Sequence, residues 1–161
     1  FKHYFLLKNY IMKMAEKINI KIKKLNPEAI IPNYAHPGDA GLDIYSCENC
    51  IIKSNERYLV STGLSIELPE GYVAFIKDKS GVAYKGGLTH MAGVIEYTYR
   101  GEYKILLFNT SKDDYLIKKG DKIAQIVILP VATAEIEEVS ELSETKRGAG
   151  DFGSTGLTRN N

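Results

Sequence analysis

Apolar residues recur along this chain at alternating or continuous intervals over 18–22, 58–68, 72–76, 104–108, 123–131 and 134–139. Runs of that length, rich in isoleucine, valine, tyrosine and phenylalanine, predict β-strands. Between them lie turn clusters: Pro37-Gly38-Asp39, Pro69-Glu70-Gly71, Lys85-Gly86-Gly87, Ser111-Lys112-Asp113-Asp114 and Lys119-Gly120-Asp121. Short strands punctuated in this way favour a β sandwich or barrel. Helical periodicity is confined to 4–16, and the apolar pattern stops near Ser140. The pattern therefore predicts an uncertain amino-terminal extension over 1–14, a β domain over 15–140, and a polar arm over 141–161 that folds only onto something else.

With 161 residues and 44% apolar content, the chain can bury one core of its own. Its 21 basic and 20 acidic residues leave a net charge of +1. A polyanion would thus need a local constellation rather than a basic face, which argues against a nucleic acid partner. The first eleven residues are apolar but broken by Lys8, and no small-residue cleavage site follows them. No apolar run reaches about 18 residues, so the expectation is a cytoplasmic protein with no membrane partner. Cys47 and Cys50 form one C-x-x-C without a second pair, while His3, His36 and His90 lie far off in sequence. That predicts two reduced cysteines in a turn-like stretch rather than a zinc site or a disulfide framework.

Five polar clusters interrupt the strand pattern. In Pro37-Gly38-Asp39-Ala40-Gly41-Leu42-Asp43, Asp43 enters a strand among apolar neighbours, either as a structural carboxylate or as one reaching a metal through water. Lys77-Asp78-Lys79-Ser80-Gly81 ends a strand with a cation, a hydroxyl and a glycine, a solvated turn or an opening toward phosphate. In Gly93-Val94-Ile95-Glu96-Tyr97-Thr98-Tyr99, a hairpin arm places Glu96 where partial burial could tune a general base, with Tyr99 as a flat wall nearby. Gly120-Asp121-Lys122-Ile123-Ala124-Gln125 puts a glutamine inside an apolar run, where it must find a partner at an interface or a ligand. Arg147-Gly148-Ala149-Gly150-Asp151-Phe152-Gly153-Ser154-Thr155-Gly156 combines backbone N–H groups free of Cβ interference, a guanidinium fork and an aromatic face, a mixture suited to a nucleotide.

Taken in order, these five segments resemble the motifs of the trimeric deoxyuridine triphosphate nucleotidohydrolases, the dUTPases. The resemblance implies a β jelly-roll of the β-clip type, assembled as a homotrimer whose shared active sites are closed by the glycine-rich arm. It implies hydrolysis of dUTP to dUMP and pyrophosphate, which limits uracil in DNA and supplies dUMP for thymidylate synthesis. Glu96 would activate the water and Asp43 would support the site floor and the water shell of Mg²⁺, itself held by the substrate phosphates. Lys79, Ser80, Gly81 and Gln125 would hold the phosphates. The backbone of Gly93, Val94 and Ile95 would pair with uracil, and Tyr99 would lie under the deoxyribose. Arg147, Phe152, Gly153, Ser154 and Thr155 would form the lid.

Four positions depart from the family pattern. Glu96 stands where aspartate is usual, and its extra methylene displaces the carboxylate by about 1.5 Å. Thr98 replaces a second acid, Lys79 replaces arginine and loses the bidentate fork, and Asp151 replaces a glycine. These departures keep open a slow or non-catalytic nucleotide-binding member of the fold. A dCTP deaminase relative is disfavoured because Leu106 stands where its catalytic glutamate would be.

Overall fold

The computed structural model describes residues 17–149. In chain order its strands are β1 (Lys21–Lys24), β2 (Gly41–Tyr45), β3 (Cys50–Ile52), β4 (Arg57–Val60), β5 (Leu64–Glu67) and β6 (Tyr72–Lys77). After the short helix α1 (Ser80–Gly86) come β7 (Leu88–His90), β8 (Val94–Glu96), β9 (Ile105–Asn109), β10 (Tyr115–Ile117) and β11 (Lys122–Pro130). The architecture is all-β. A four-stranded sheet has the order β2-β11-β6-β8, a three-stranded one β4-β9-β7, and two pairs, β1-β5 and β10-β3, complete the framework. Every pairing is antiparallel.

The period-two alternation explains which side chains face inward. In the four-stranded sheet Leu42 lies beside Ile126 and Ile44 beside Ala124, Ile126 in turn lies beside Ile76, and all five are buried. The opposite face carries Asp43, Gln125 and Lys77 in one row, because Gln125 pairs with Asp43 on one side and Lys77 on the other. Tyr103, Ile105 and Leu107 continue the core under the three-stranded sheet. Burying each large aliphatic side chain contributes about 1.5–3 kcal/mol.

Several expectations are corrected. The run 58–68 is two strands, split at 61–63, where the Glu102 carboxylate accepts hydrogen bonds from Gly63 N–H (2.8 Å) and Ser61 Oγ. Cys50 begins a strand rather than sitting in a turn, and both cysteines are buried and unbridged. The run 134–139 forms no strand, and 131–149 is exposed throughout, Ile136 to 96%. Its alternation suits a sheet, but among the described residues no edge receives it. Helix α1 was not foreseen, since none of its residues is buried and no apolar stripe announces it. The helical periodicity at 4–16 lies outside the described residues. No helix among those described is long and apolar enough to cross a membrane.

Candidate active site

Two open clefts, each of about 630 Å³, receive seven of the fifteen foreseen residues. The first is lined by Gly93, Val94, Ile95, Glu96 and Tyr99, with Tyr103 and Leu106 also on its walls. The second is lined by Gly41, Lys77, Asp78, Lys79, His90 and Gln125. Consecutive residues of β6 divide them, Ile76 lining the first and Lys77 the second.

The first cleft is built on the β6–β8 hairpin, in which Val73 faces Glu96 and Phe75 faces Val94. Gly93 has φ +120 and donates no side chain to the space between Ile76 and His90; a Cβ there would stand 3.1 Å from Ile76 Cβ and 3.2 Å from His90 Cδ2. Its carbonyl accepts Ile76 N–H at 2.8 Å, which ties the start of β8 to β6. Glu96 is exposed at the end of β8, and its backbone carbonyl accepts Tyr99 N–H at 3.0 Å to turn the chain back. Tyr99 donates its hydroxyl to Glu102 O at 3.2 Å and lies 6.0 Å, centroid to centroid, from the ring of Tyr103.

Lys79 of the second cleft rests on the Asp43 carboxylate, which does not itself line the cleft. Asp43 is 1% exposed, with Oδ1 2.6 Å from Lys79 Nζ and Oδ2 2.7 Å from Lys122 Nζ. Burial alone would raise its pKa, but the hydrogen bonds and charges of Lys122 and Lys79 hold the carboxyl below its ordinary value. Both oxygens are thereby engaged with cations. Gln125 donates Nε2 to Asp78 O at 2.9 Å, and Gly41 is small because a Cβ would run into Gln125 Oε1. Asp78 accepts three further hydrogen bonds, from His90 N–H (2.6 Å), Thr89 Oγ1 (2.9 Å) and the His90 ring at Nδ1 (2.7 Å). Burial opposes them, yet these bonds keep the Asp78 carboxyl below its usual value.

Ser80 and Gly81 are exposed at the start of α1, directly after Lys79. Arg147 lies in the exposed segment 131–149, apart from the lining of both clefts. Phe152, Gly153, Ser154 and Thr155 lie outside the described residues. Sequence reasoning gave no role to four residues. Lys122 stood within a quoted cluster without a role, and the His90–Asp78 pairing breaks no pattern that would reveal it. Tyr103 could have been noticed, since it continues the inward row of Ile105 and Leu107 with a hydroxyl that needs a partner. Among the described residues no group of three or more His, Cys, Asp or Glu side chains could hold a metal ion.

A family model described as dUTPase matches residues 27–156. The deoxyuridine 5'-triphosphate nucleotidohydrolase of Nautilia profundicola is 52% identical over 141 residues, covering 86% of this chain and 99% of that protein. Its counterpart from Clostridioides difficile is 49% identical over 141 residues, with the same 86% and 99% coverage. Among solved structures, the dUTPase of Staphylococcus bacteriophage 80alpha with dUPNHPP superposes with a TM-score of 0.82 at 30% identity, covering 86% of this chain and 99% of that one. The family model spans the segment that carries all five motifs, relatives about half identical cover 86% of the chain, and the chain belongs to the dUTPase family.

Proposed function

We propose that this chain hydrolyses dUTP to dUMP and pyrophosphate, with Glu96 as the general base. The observation that carries the reading is the placement of the Glu96 carboxylate in one cleft with the Gly93–Ile95 backbone and Tyr99, within a chain of the dUTPase family. The β8 backbone offers N–H and C=O groups to the uracil edge, and its closeness leaves no room for a C5 methyl. Tyr99 packs under the deoxyribose, where a 2′-hydroxyl would collide with the ring. Glu96 takes a proton from water as the water oxygen bonds to the α-phosphorus. The bond from that phosphorus to the bridging oxygen of the β-phosphate breaks, and pyrophosphate carries the electron pair away.

The phosphates belong to the second cleft. Asp43 holds Lys79, which lines the cleft, and Lys122 as cations, while Gln125 on the same wall is fixed by Asp78 O. Ser80 and Gly81 offer a hydroxyl and backbone donors beside them. The arm residues Arg147, Phe152, Gly153, Ser154 and Thr155 close over the nucleotide and exclude water. Mg²⁺ would be held by oxygens of the nucleotide phosphates and by water, with Asp43 behind that water shell, and would supply charge neutralisation for the leaving pyrophosphate.

The assembly that fits is a homotrimer with shared sites. Base-side and phosphate-side residues fall in separate clefts of one chain, so a neighbouring copy brings them together. The sheet face bearing Lys77 and Gln125 also bears Phe75, Val127, Val94 and Leu129, of which Val94 is 58% and Leu129 44% exposed. The unpaired alternation at 134–139 suits a strand given to another subunit. The test is pyrophosphate release with Mg²⁺ and dUTP, beside dCTP, dTTP and UTP. Release from dUTP alone is expected; nucleotide binding without release would make the chain a sensor, and deaminated dCTP would overturn the reading of Leu106.

A further inference from the structure

His90 ends β7 on the core face of the three-stranded sheet, where its register partner across β9 is the buried Leu107. An apolar side chain would suit that position. A polar ring stands there instead, 19% exposed, and a carboxylate from the loop after β6 holds it. Asp78 Oδ1 accepts both the backbone N–H of His90 (2.6 Å) and its ring at Nδ1 (2.7 Å), while Oδ2 accepts Thr89 Oγ1 (2.9 Å). Burial opposes ionisation of Asp78, but these bonds outweigh it and keep the carboxyl below its usual value. A carboxylate without a proton only accepts, so Nδ1 carries the ring proton and the bond fixes the ring.

The fixed ring lies against the turn that leads into the base side of the first cleft. A Cβ built on Gly93 would stand 3.2 Å from His90 Cδ2 and 3.1 Å from Ile76 Cβ, so the ring and β6 leave residue 93 no room for a side chain. The turn over 91–93 is tied at both ends, Met91 N–H donating to Leu106 O and Ile76 N–H to Gly93 O, each at 2.8 Å. Between these anchors Ala92 has φ +62 and Gly93 φ +120. A left-handed residue other than glycine persists only where its surroundings hold it, and such residues gather at ligand clamps. His90 enters this turn, and its own side chain backs it.

We infer that His90, held by Asp78, is a specificity-determining positioning residue: its ring is the stop against which the Gly93 turn rests, and it sets how close the β8 backbone comes to C5 of the pyrimidine. The inference rests on the base-side reading of Gly93–Ile95 given above. Its physical basis is rigidity. A pocket that rejects one methyl group must not yield by that methyl's width, and discrimination of this kind is worth about 10–200-fold. A turn backed by a residue bonded twice to one carboxylate does not recede, whereas a turn backed by space does. Asp78 also holds Gln125, whose Nε2 donates to its carbonyl at 2.9 Å, so one residue anchors the base-side stop and a phosphate-side group.

The test is equilibrium binding of the α,β-imido analogues of dUTP and dTTP, whose bridging nitrogen resists hydrolysis. Both carry the same triphosphate, so any disturbance of the phosphate side cancels in the ratio of their affinities. His90→Ala should lower the preference for uracil about tenfold, chiefly by tightening the thymine analogue. His90→Phe keeps the ring's volume without the bond to Asp78 and should lower the preference too, so a poorly folding alanine variant leaves the test intact. Asp78→Ala should act in the same direction, and combined with His90→Phe it should lose no more than either change alone. Thr89→Val removes a bond to the same carboxylate without touching residue 90 and should keep the wild-type preference. A wild-type preference in His90→Phe, or additive losses in the double variant, overturns the inference. Loss of preference in Thr89→Val does so as well, because a general loosening of β7 would then suffice. A wild-type protein with no preference for uracil removes the base-side reading and the inference with it; one that prefers uracil yet releases no pyrophosphate from dUTP refutes the hydrolase reading alone.

Discussion

Lys79 Nζ lies 2.6 Å from Asp43 Oδ1, a contact that joins the loop after β6 to the middle of β2 across 36 residues of sequence. It places a cation of the phosphate-side cleft on a carboxylate that is 1% exposed, and Lys122 completes the clamp from β11. Lysine at position 79 has no fork to offer, so in the proposed reading its one ammonium would have to serve both the carboxylate and a phosphate.

Asp43→Ala is therefore expected to cost about 1–3 kcal/mol, because two lysines lose their shared carboxylate acceptor while their own partial exposure lets water replace part of it. Urea unfolding checks this. The Asp43 carboxyl is depressed in the fold, so its contribution is fully present above the unfolded value near 3.8 and is lost as pH falls through the lower folded value. In acid the difference between wild type and variant should accordingly shrink; a gap that persists at pH 2 would mean that packing, rather than charge, was lost.

Glu96→Gln keeps the shape and removes the base. Turnover should drop by about 10²–10⁴, while equilibrium affinity for a non-hydrolysable nucleotide changes little. Glu96→Asp should cost about a hundredfold if the cleft is fitted to the longer side chain. Unchanged turnover in the glutamine variant would assign the proton to another group.

Asp78→Ala removes the acceptor of His90 N–H, Thr89 Oγ1 and the His90 ring. Because Asp78 is one-third exposed, water replaces part of what is lost, and destabilisation should stay near the lower end of about 1–3 kcal/mol. KM for dUTP should rise as well, since Gln125 is held by the carbonyl of the same residue. A variant with wild-type KM would detach Asp78 from the phosphate side.

What the sequence made legible follows from where polar residues break a pattern. Asp43 and Gln125 each interrupt an apolar strand, so both stood out, and the register sets them side by side. Helix α1 did not, since Tyr84 on it is 91% exposed and no face is buried. The His90–Asp78 contact joins two ordinary polar residues through the fold alone. At 134–139 the alternation was genuine local chemistry, but a strand needs an edge, and an edge is a property of the whole assembly.

Cys47 and Cys50 should be inert in the native protein. Both are buried, and burial, followed by the charge of Glu48, pushes the Cys50 thiol up to about 11, leaving little thiolate at neutral pH. A disulfide-exchange reagent at pH 8 should label neither until denaturant is added. Rapid native labelling would show that the strand β3 opens readily.

Truncation after Ser140 separates the arm from the core. Residues 131–149 are exposed, and β11 ends at Pro130, so the hydrophobic clusters keep every member when the chain stops at 140. Removing exposed segments costs little stability, within about 0.5 kcal/mol for changes away from special features, and the urea midpoint should hardly move. Activity on dUTP should nevertheless vanish, because Arg147 and the glycine-rich segment that follows it are gone and the nucleotide is left open to water. Gel filtration of the same truncation reads the assembly, since 134–139 remains in place to serve a neighbouring subunit. A truncated protein that keeps its kcat would remove the arm from catalysis; one that loses both activity and trimer would give the arm an assembly role in place of a lid.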